Sequence, residues 1–328
     1  MKQYTKAAAL ASVAVIAAAS LAACGAAEDG GSDSGGGDGK KIAFVQGVAG
    51  DEFYISMQCG IEAAAEEAGA TVTTQGPEKF DPTLQKPIVD SVVSSKPDAL
   101  LVAPTDVSAM QAPLQAAADA GIKVVLVDTT VDDPSFAASA ISSDNEGGGE
   151  AAFTAIKEQA PDGGKVLVIS TDPGVSTVDL RVKGFETAAK ADSDFEYLGV
   201  QYSHNEPATA ARLVTAALQK DPDIVGIFAT NLFSAEGTAT GVRQADKQDS
   251  VKIVGFDAGP AQVEQLREGT VQALIAQKPA EIGTDGVEQA MAAIEGGSTE
   301  KNIQTGFTII TQDNLEGEAK DDVYKSSC

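Results

Sequence analysis

The residues best suited to chemistry in this sequence are polar and aromatic side chains that follow runs of apolar residues. They comprise carboxylates, amides, hydroxyls and two adjacent aromatic rings: Asp51, Phe53, Tyr54, Thr105, Asp106, Asp128, Thr129, Asn231, Asp257 and Gln277. Carboxylates accept hydrogen bonds from hydroxyl groups, and amides both donate and accept. The faces of Phe53 and Tyr54 suit the C–H side of a sugar ring or polyol. The set therefore predicts a binding site for a small polyhydroxylated molecule rather than a reaction centre.

These side chains follow short segments rich in β-branched residues. The segments are 42–46, 99–103, 123–128, 165–170, 224–230, 251–257 and 271–277. Their apolar character is continuous rather than alternating, which is typical of strands buried on both faces of a parallel sheet. Helical segments lie between them at 55–68, 108–120, 147–159, 209–219 and 261–268. The alternation predicts two doubly wound β-α arrays that divide near residue 142, with ligand at the carboxyl ends of the strands.

Catalytic alternatives have little support in the sequence. A secreted hydrolase would use two of Asp51, Asp128 and Asp257 as an acid and base pair. His204 is the only histidine, and it lies in a polar segment predicted to be a surface loop without a nucleophile elbow nearby. No Cys or His cluster predicts a metal site, and Gly147, Gly148 and Gly149 lack the context of a phosphate-binding loop. We expect no catalytic residues, no metal and no cofactor.

The N-terminus predicts export. Lys2 and Lys6 precede an apolar, alanine-rich run at 7–19 that is too short to span a bilayer comfortably, so a secretory signal fits better than a transmembrane helix. The following Leu-Ala-Ala-Cys sequence resembles a bacterial lipobox. This resemblance implies that residues 1–23 are removed and that Cys24 becomes the lipid-modified N-terminus. Residues 24–40 are rich in Gly, Ser and acidic residues, which predicts a flexible tether.

The charge balance limits the partners. The chain has 48 Asp and Glu against 23 Lys and Arg, a net charge of −25, and no basic cluster interleaved with aromatic residues. Nucleic acid is excluded as a partner because phosphate binding needs a positive surface. An anionic membrane surface is excluded for the same reason, so membrane association is expected only through the lipid. The acidity is attributed to the solubility of an exported protein.

The two remaining cysteines, Cys59 and Cys328, form an even pair in an oxidising compartment. On the first predicted helix, Met57 and Ile61 belong to the core-facing stripe, whereas Cys59 lies about 200° from Met57 and is accessible to a covering segment. The polar tail 312–328 ends in Cys328. We therefore predict a Cys59–Cys328 disulfide that holds this tail against the first lobe.

Eight short motifs occur in the order and spacing in which the ribose-type periplasmic binding proteins carry their signatures. They are Asp-Glu-Phe-Tyr at 51–54, Ala-Pro-Thr-Asp at 103–106, Val-Asp-Thr at 127–129, Ser-Asp-Asn at 143–145, Arg181 with Gly184 and Phe185, Phe-Ala-Thr-Asn at 228–231, Val-Gly-Phe-Asp at 254–257 and Ile-Ala-Gln at 275–277. The resemblance covers residues 41–311. It implies a type I fold, an α/β structure of two Rossmann-like lobes joined by a three-crossover hinge. The lobes would comprise 41–142 plus 278–308 and 143–277 plus 309–311, with 312–328 as the tail.

The same resemblance implies roles for individual residues. Its hydroxyl-binding residues would be Asp128, Arg181, Asn231, Asp257 and Gln277, and Phe53 and Tyr54 would stack on the ligand. The sequence departs from the ribose binders at four positions: Asp51 replaces Asn, Ala103 replaces Asn, Thr129 replaces Arg, and Asn205 replaces an aromatic residue. Such changes redirect specificity, so a different pentose, a hexose or a polyol is expected.

The expected function is that of an extracytoplasmic, lipid-anchored solute-binding protein of an ABC importer, a monomer that delivers its ligand to an ABC permease. The alternatives are the secreted carbohydrate-active hydrolase and a sugar receptor for a membrane sensor, which would use the same two lobes. A sugar-responsive repressor shares the fold, but it would need a DNA-binding helix-turn-helix in place of the signal peptide.

Overall fold

The computed structural model describes residues 39–328. The predicted signal peptide, the predicted lipidation site Cys24 and all but the last two residues of the predicted tether lie outside this range. Among the described helices, none combines the length and the apolar character needed to cross a membrane.

The first lobe is built on a six-stranded sheet. Its strands are β1 (Lys41–Val45), β2 (Thr71–Gln75), β3 (Ala99–Val102), β4 (Lys123–Val127), β5 (Ser139–Ser143) and β11 (Asn302–Thr305). Their spatial order is β11-β5-β4-β3-β1-β2, and every pair is parallel. The four residues Ala99–Val102 of β3 are all buried, as expected for a central strand covered on both faces.

Four helices cover this sheet. They are α1 (Glu52–Glu67), α2 (Pro82–Ser95), α3 (Gln111–Asp119) and α9 (Pro279–Ile294). Alternate residues of β1 pack to opposite faces, Phe44 with the α1 side and Val45 with the α2 and α3 side. Helices α1 and α9 approach closely at two glycines: a methyl group at Gly60 would lie 2.2 Å from the carbonyl oxygen of Ala280, and one at Gly283 would lie 2.4 Å from that of Met57.

The second lobe repeats this arrangement. Its strands are β6 (Gly164–Ser170), β7 (Phe195–Tyr202), β8 (Ile224–Ala229), β9 (Lys252–Phe256), β10 (Ala273–Ala276) and β12 (Thr308–Ile310), in the order β12-β10-β9-β8-β6-β7. All pairs are parallel except β12 with β10. The covering helices are α4 (Asn145–Gln159) and α5 (Ser176–Ala191) on one face and α6 (Pro207–Lys220), α7 (Leu232–Gln244) and α8 (Pro260–Arg267) on the other.

The chain crosses between the two sheets three times. It passes from β5 to α4 at Asp144, from β10 to α9 at Gln277 and Lys278, and from β11 to β12 at Gly306 and Phe307. The predicted fold class, two α/β lobes with mainly parallel sheets and three crossovers, is therefore confirmed. The third crossing precedes the predicted boundary at residue 308, because β12 already pairs with the second sheet.

Residues 311–328, which we call the strap, contact both lobes. Near its start, Leu315 and Ala319 are buried in the hydrophobic core, and Glu316 forms an ion pair with Arg267 of α8 at 2.9 Å. At its end, a disulfide joins Cys328 to Cys59 of α1, with Cα atoms 5.3 Å apart. The strap thus differs from the sequence expectation, which placed it on the first lobe alone.

Candidate functional site

A cavity lies between the two lobes at the carboxyl ends of their strands. It encloses about 410 Å³ of space between protein atoms, part of it open to solvent. The lining consists of polar, aromatic and small apolar side chains from both lobes: Asp51, Phe53, Tyr54, Phe80, Asp128, Thr171, Val175, Thr177, Val178, Arg181, Asn205, Asn231, Asp257 and Gln277.

Strand ends and family motifs together select ten residues as ligand-binding: Asp51, Phe53, Tyr54, Asp128, Thr129, Arg181, Asn205, Asn231, Asp257 and Gln277. The structure brings together nine of these ten in the lining, whereas Thr105 and Asp106, which also follow a strand, lie outside it. The tenth, Thr129, is 3% exposed and lies outside the lining, because its hydroxyl donates to the carbonyl oxygen of Pro104 at 2.7 Å. A hydroxyl committed to the backbone in this way fixes the loop after β4 instead of contacting ligand.

The first lobe presents two carboxylates whose orientation is set by hydrogen bonds. Asp51 caps the N-terminus of α1, and its Oδ1 accepts from the backbone N–H of Phe53 at 2.9 Å. The hydroxyl of Tyr54 donates to Oδ2 of Asp128 at 2.8 Å. No donor among the described residues contacts the remaining oxygen of either carboxylate, so both oxygens can accept from a ligand hydroxyl.

Asp257 at the end of β9 is held by three donors. Its Oδ2 accepts from the backbone N–H of Leu232 at 2.9 Å, and its Oδ1 accepts from Nε2 of Gln277 at 2.7 Å. The third donor is the hydroxyl of Tyr324 in the strap, at 3.1 Å. Asp257 has φ of 76° and Asp128 has φ of 64°, a left-handed conformation that is uncommon for residues other than glycine. Such strain is characteristic of binding and catalytic sites, where it orients a side chain that regular strand geometry would turn away.

Arg181 supplies the positive charge of the cavity. It is 2% exposed; its Nε donates to Oδ1 of Asn145 at 2.9 Å, and its Nη1 donates to the carbonyl oxygen of Thr230 at 2.8 Å. The guanidinium lies 3.7 Å from the centre of the Phe256 ring, a cation–π contact that fixes its plane. Nη2 contacts no acceptor among the described residues, so this nitrogen of the guanidinium is available to donate hydrogen bonds to the oxygens of a ligand.

Two asparagines of the second lobe add amide groups to the lining. Nδ2 of Asn231 donates to Oδ1 of Asn205 at 2.7 Å, and Oδ1 of Asn231 accepts from the backbone N–H of Ser234 at the start of α7. These bonds leave the Nδ2 group of Asn205 as a donor at the edge of the cavity.

The cavity contains an excess of negative charge. Burial raises the pKa of Asp51 well above its usual range, and the charge of Asp257 raises it further, whereas the Phe53 N–H opposes the change. Burial also raises the pKa of Asp128 to about 6, although Arg181 and the Tyr54 hydroxyl lower it. Three carboxylates therefore share one guanidinium. Hydroxyl donors from a ligand would stabilise the charged carboxylates, which favours a molecule rich in hydroxyl groups.

The two lobes are in contact across the mouth of the cavity. Nζ of Lys79 in the first lobe lies 2.6 Å from Oε1 of Glu206 in the second, and the backbone N–H of Val107 donates to the carbonyl oxygen of Gly174 at 3.0 Å. The Thr130 N–H also donates across the gap, to the Ser176 hydroxyl at 3.0 Å. The described residues include no cluster of three or more Asp, Glu, His or Cys that could hold a metal.

The sequence did not identify Phe80, Thr171, Val175, Thr177 and Val178 as lining residues. Thr171 directly follows β6, so the rule that located the other side chains also applies to it. Val175, Thr177 and Val178 lie at the start of α5, less than two turns before Arg181, and share its position beside the cavity. Phe80 lies in the loop between β2 and α2, and β2 was not predicted as a strand.

Comparisons with known proteins agree with this geometry. Residues 42–298 match the periplasmic binding protein domain family. The ribose import binding protein of Bacillus subtilis is 27% identical over 278 residues, which cover 84% of this chain and 89% of that protein. An ABC transporter solute-binding protein from Agrobacterium vitis, solved with α-D-tagatopyranose, is 40% identical with a TM-score of 0.85 and covers 87% of this chain and 99% of its own. A second Agrobacterium vitis solute-binding protein, solved with D-fucose, is 29% identical with a TM-score of 0.83. This match covers 87% of this chain and 100% of that protein.

Proposed function

Because this chain belongs to the periplasmic binding protein family, over residues 42–298, we propose that it is the extracytoplasmic sugar-binding component of an ABC importer. It captures a monosaccharide or polyol between its lobes and delivers it to the permease. The observation that carries the proposal is the cavity lined by Asp51, Asp128, Arg181 and Asp257 at the carboxyl ends of both sheets. The relatives are binding proteins of transporters, which supports binding without catalysis and gives the hydrolase alternative no support.

The lining residues match the groups of a sugar. The guanidinium of Arg181 donates to two neighbouring ring or hydroxyl oxygens, and the carboxylates of Asp51 and Asp128 accept from hydroxyls. Phe53 and Tyr54 offer apolar surface to the C–H face of the ring. Each of these polar groups is buried, so a ligand that lacks the matching hydroxyl leaves it unpaired, and this loss gives the site its selectivity.

Ligands other than ribose are favoured. Two departures from the ribose binders remove polar groups from the cavity: Ala103 has an apolar side chain, and the Thr129 hydroxyl is bound to the backbone of Pro104. At Asn205 an amide replaces an aromatic face. Relatives of this chain were solved with the hexoses tagatose and fucose, so a hexose is the first candidate.

The ligand class is testable by a thermal-shift screen of D-tagatose, D-fucose, D-arabinose, D-allose, D-ribose and open-chain polyols. A ligand present at about 100 times its dissociation constant stabilises the folded protein by about 2.7 kcal/mol. The sugar with the largest shift is then titrated by calorimetry. Asp249→Asn, a change at an exposed loop residue, serves as a control, and it should bind like the wild type. Absence of stabilisation by every sugar and polyol would refute the proposed function.

Closure of the lobes on the ligand gives a second test. The contacts across the mouth of the cavity, such as Lys79 with Glu206, form only when the lobes approach. We expect small-angle scattering to report a smaller radius of gyration with a bound sugar than without it. Identical profiles at saturating sugar would argue against a hinged clamp.

Membrane anchoring through Cys24 is the third part of the proposal. It is supported by the lipobox-like sequence before Cys24 and by the tether composition after it. Mass spectrometry of the N-terminal peptide from native membranes should find a lipid on Cys24, and a Cys24→Ala variant should be released into the soluble fraction. An unmodified Cys24 peptide would refute the anchor.

The fourth part is that the exported protein carries the Cys59–Cys328 disulfide. The two Cα atoms lie 5.3 Å apart, within the range that a disulfide spans. Peptide mapping without reduction should recover the two cysteines in one crosslinked fragment. Full alkylation of both thiols in protein purified without reductant would contradict the bond.

A further inference from the structure

Tyr324, in the strap, forms hydrogen bonds directly behind the cavity. Its side chain is 4% exposed, its hydroxyl donates to Oδ1 of Asp257 at 3.1 Å, and the same hydroxyl accepts from the backbone N–H of Gln277 at 2.9 Å. Its ring packs against Phe53, with ring centres 5.9 Å apart. One residue outside the lining thus contacts three residues of the lining, which come from both lobes.

The strap holds Tyr324 in place on either side. The backbone N–H of Tyr324 donates to the carbonyl oxygen of Ala258, the residue that follows Asp257, at 2.9 Å. The next residue, Lys325, donates from its backbone N–H to the hydroxyl of Ser56 in α1 at 2.7 Å. Three residues further along, Cys328 is bonded to Cys59 of the same helix.

A second contact of the strap lies beside the hinge. Asp322 forms an ion pair with Lys278, whose Nζ also donates to the Thr308 hydroxyl at 2.8 Å. Lys278 belongs to the second crossing and Thr308 follows the third. The strap therefore bridges the lobes next to the crossings, and the disulfide makes it a fourth covalent connection between them.

We propose that the strap is part of the sugar-binding site, with Tyr324 as a positioning residue that holds Asp257 and Gln277 in their binding orientation and the Cys59–Cys328 bond as the anchor that keeps Tyr324 there. The inference rests on the proposed function, because it concerns the same cavity. Its physical basis is the position of Asp257, which combines a left-handed backbone with a carboxylate that must stay aligned with the ligand. Three donors fix that carboxylate. Tyr324 supplies one of them, and its hydroxyl also accepts from the backbone N–H of Gln277, whose side chain supplies another.

The Tyr324 hydroxyl is suited to this role at any pH of interest. Burial and the nearby charge of Asp257 raise its pKa well above the usual range, so it remains a neutral donor. Removing it by Tyr324→Phe leaves the Gln277 N–H without a partner and Asp257 with two donors in place of three. Loss of a buried hydrogen bond of this kind corresponds to affinity weakened by about fivefold to tenfold.

The experiment compares D-tagatose binding by wild type, Tyr324→Phe and Tyr197→Phe, measured by calorimetry. Tyr197 in β7 serves as the matched control because it is partly buried and lies outside the cavity lining. We expect weakening of about fivefold to tenfold for Tyr324→Phe and less than about twofold for Tyr197→Phe. In an Asp257→Asn background, Tyr324→Phe should cost less than in the wild-type background, because one of the two contacts of the Tyr324 hydroxyl is to that carboxylate. Unchanged affinity in Tyr324→Phe, or equal losses in both backgrounds, would overturn the inference.

Two further measurements make the result independent of folding and of the choice of sugar. The Gln277 side-chain amide signal in a ¹⁵N spectrum, assigned with Gln277→Ala, should move in Tyr324→Phe without ligand; an unmoved signal overturns the positioning role even if D-tagatose does not bind.

The double variant Cys59→Ser with Cys328→Ser retains Tyr324 but frees its anchor, and should weaken binding by about twofold to fivefold. Wild-type affinity in this variant would show that the anchor contributes nothing to binding. Failure of the wild type to bind any sugar would instead refute the proposed function.

Discussion

Replacing Asp128 by Asn should stabilise the ligand-free protein at neutral pH while it abolishes tight binding. Asp128 is 6% exposed, and burial raises its pKa from the ordinary 3.8 to about 6 in spite of the Arg181 charge and the Tyr54 hydroxyl. At neutral pH the folded protein must therefore keep an ionised carboxylate in an unfavourable environment. An amide of the same shape avoids this cost and still accepts from Tyr54.

The magnitude follows from the difference between the folded and unfolded pKa. At about 1.4 kcal/mol for each pH unit, a change from 3.8 to about 6 corresponds to about 3 kcal/mol at neutral pH. In the Asn variant an NH2 group replaces Oδ1, which has no partner among the described residues, and burying this unpaired donor offsets about 1 to 2 kcal/mol. We therefore expect a net increase of about 1 to 2 kcal/mol in the free energy of unfolding.

The sign of the pH dependence distinguishes removal of an unfavourable buried charge from an improvement in packing, which would not depend on pH. A carboxyl whose folded pKa is raised contributes most to stability at low pH and loses that contribution as pH rises through the folded pKa, because the folded state binds the proton more tightly. Wild type should therefore lose stability relative to Asp128→Asn between about pH 5 and about pH 8, by at least about 1 kcal/mol.

Urea denaturation at both pH values measures this difference, with Asp249→Asn as a control that removes one exposed charge. An advantage of the Asp128→Asn variant that is equal at both pH values, or an equal gain in the control, would refute the reasoning. Calorimetry with the best sugar of the screen completes the test, since the variant should bind at least about tenfold more weakly.

Four other changes have defined outcomes. Arg181→Ala should weaken sugar binding by about 2 to 4 kcal/mol in calorimetry while the apo protein keeps its circular dichroism spectrum; near-wild-type affinity would place the site elsewhere. Gly283→Ala should lower the free energy of urea unfolding by about 1 to 3 kcal/mol, because its methyl would meet the Met57 carbonyl oxygen; an unchanged midpoint would contradict this close contact. Reducing the Cys59–Cys328 bond should cost about 2 to 4 kcal/mol in the same assay, and no loss would mean that the strap docks without it. Lys79→Ala should change affinity by less than about fivefold, because its ion pair is exposed, and a larger loss would make it a main closing contact.

The sequence predicted the inner strands and missed the outer ones. The seven continuous apolar segments correspond to β1, β3, β4, β6, β8, β9 and β10, all of which are covered on both faces. The unpredicted strands lie at the edges of the sheets or, for β5, next to an edge. Strand β2 shows why: its residues alternate between exposed and intermediate, and Val72 is its only apolar residue, so it contains no apolar run. An edge strand forms because it pairs with a neighbouring strand, and the composition of the segment itself does not reveal that pairing.

The candidate site was predictable where it depended on strand ends and on family motifs. Asp128 and Asp257 each follow a buried strand, and Arg181 came from the family resemblance alone. Tyr324 could not be identified in this way, because it is 47 residues from Gln277 and 67 from Asp257 in sequence and follows no strand. Thr129 shows the opposite error: its position was right for a ligand contact, but the orientation of its hydroxyl depends on the Pro104 carbonyl, which sequence does not reveal.

The matching strand orders of the two sheets give the molecule an approximate twofold symmetry. Strand β4 in the first sheet occupies the place of β9 in the second, and each is followed by an aspartate with positive φ that lines the cavity. Asp128 and Asp257 are thus equivalent positions that line the cavity from opposite lobes. Arg181 breaks this symmetry, because the first lobe contributes no cation to the lining. The cavity is therefore nearly symmetric in its strand framework but not in its charge, so the two ends of a bound sugar would meet different groups.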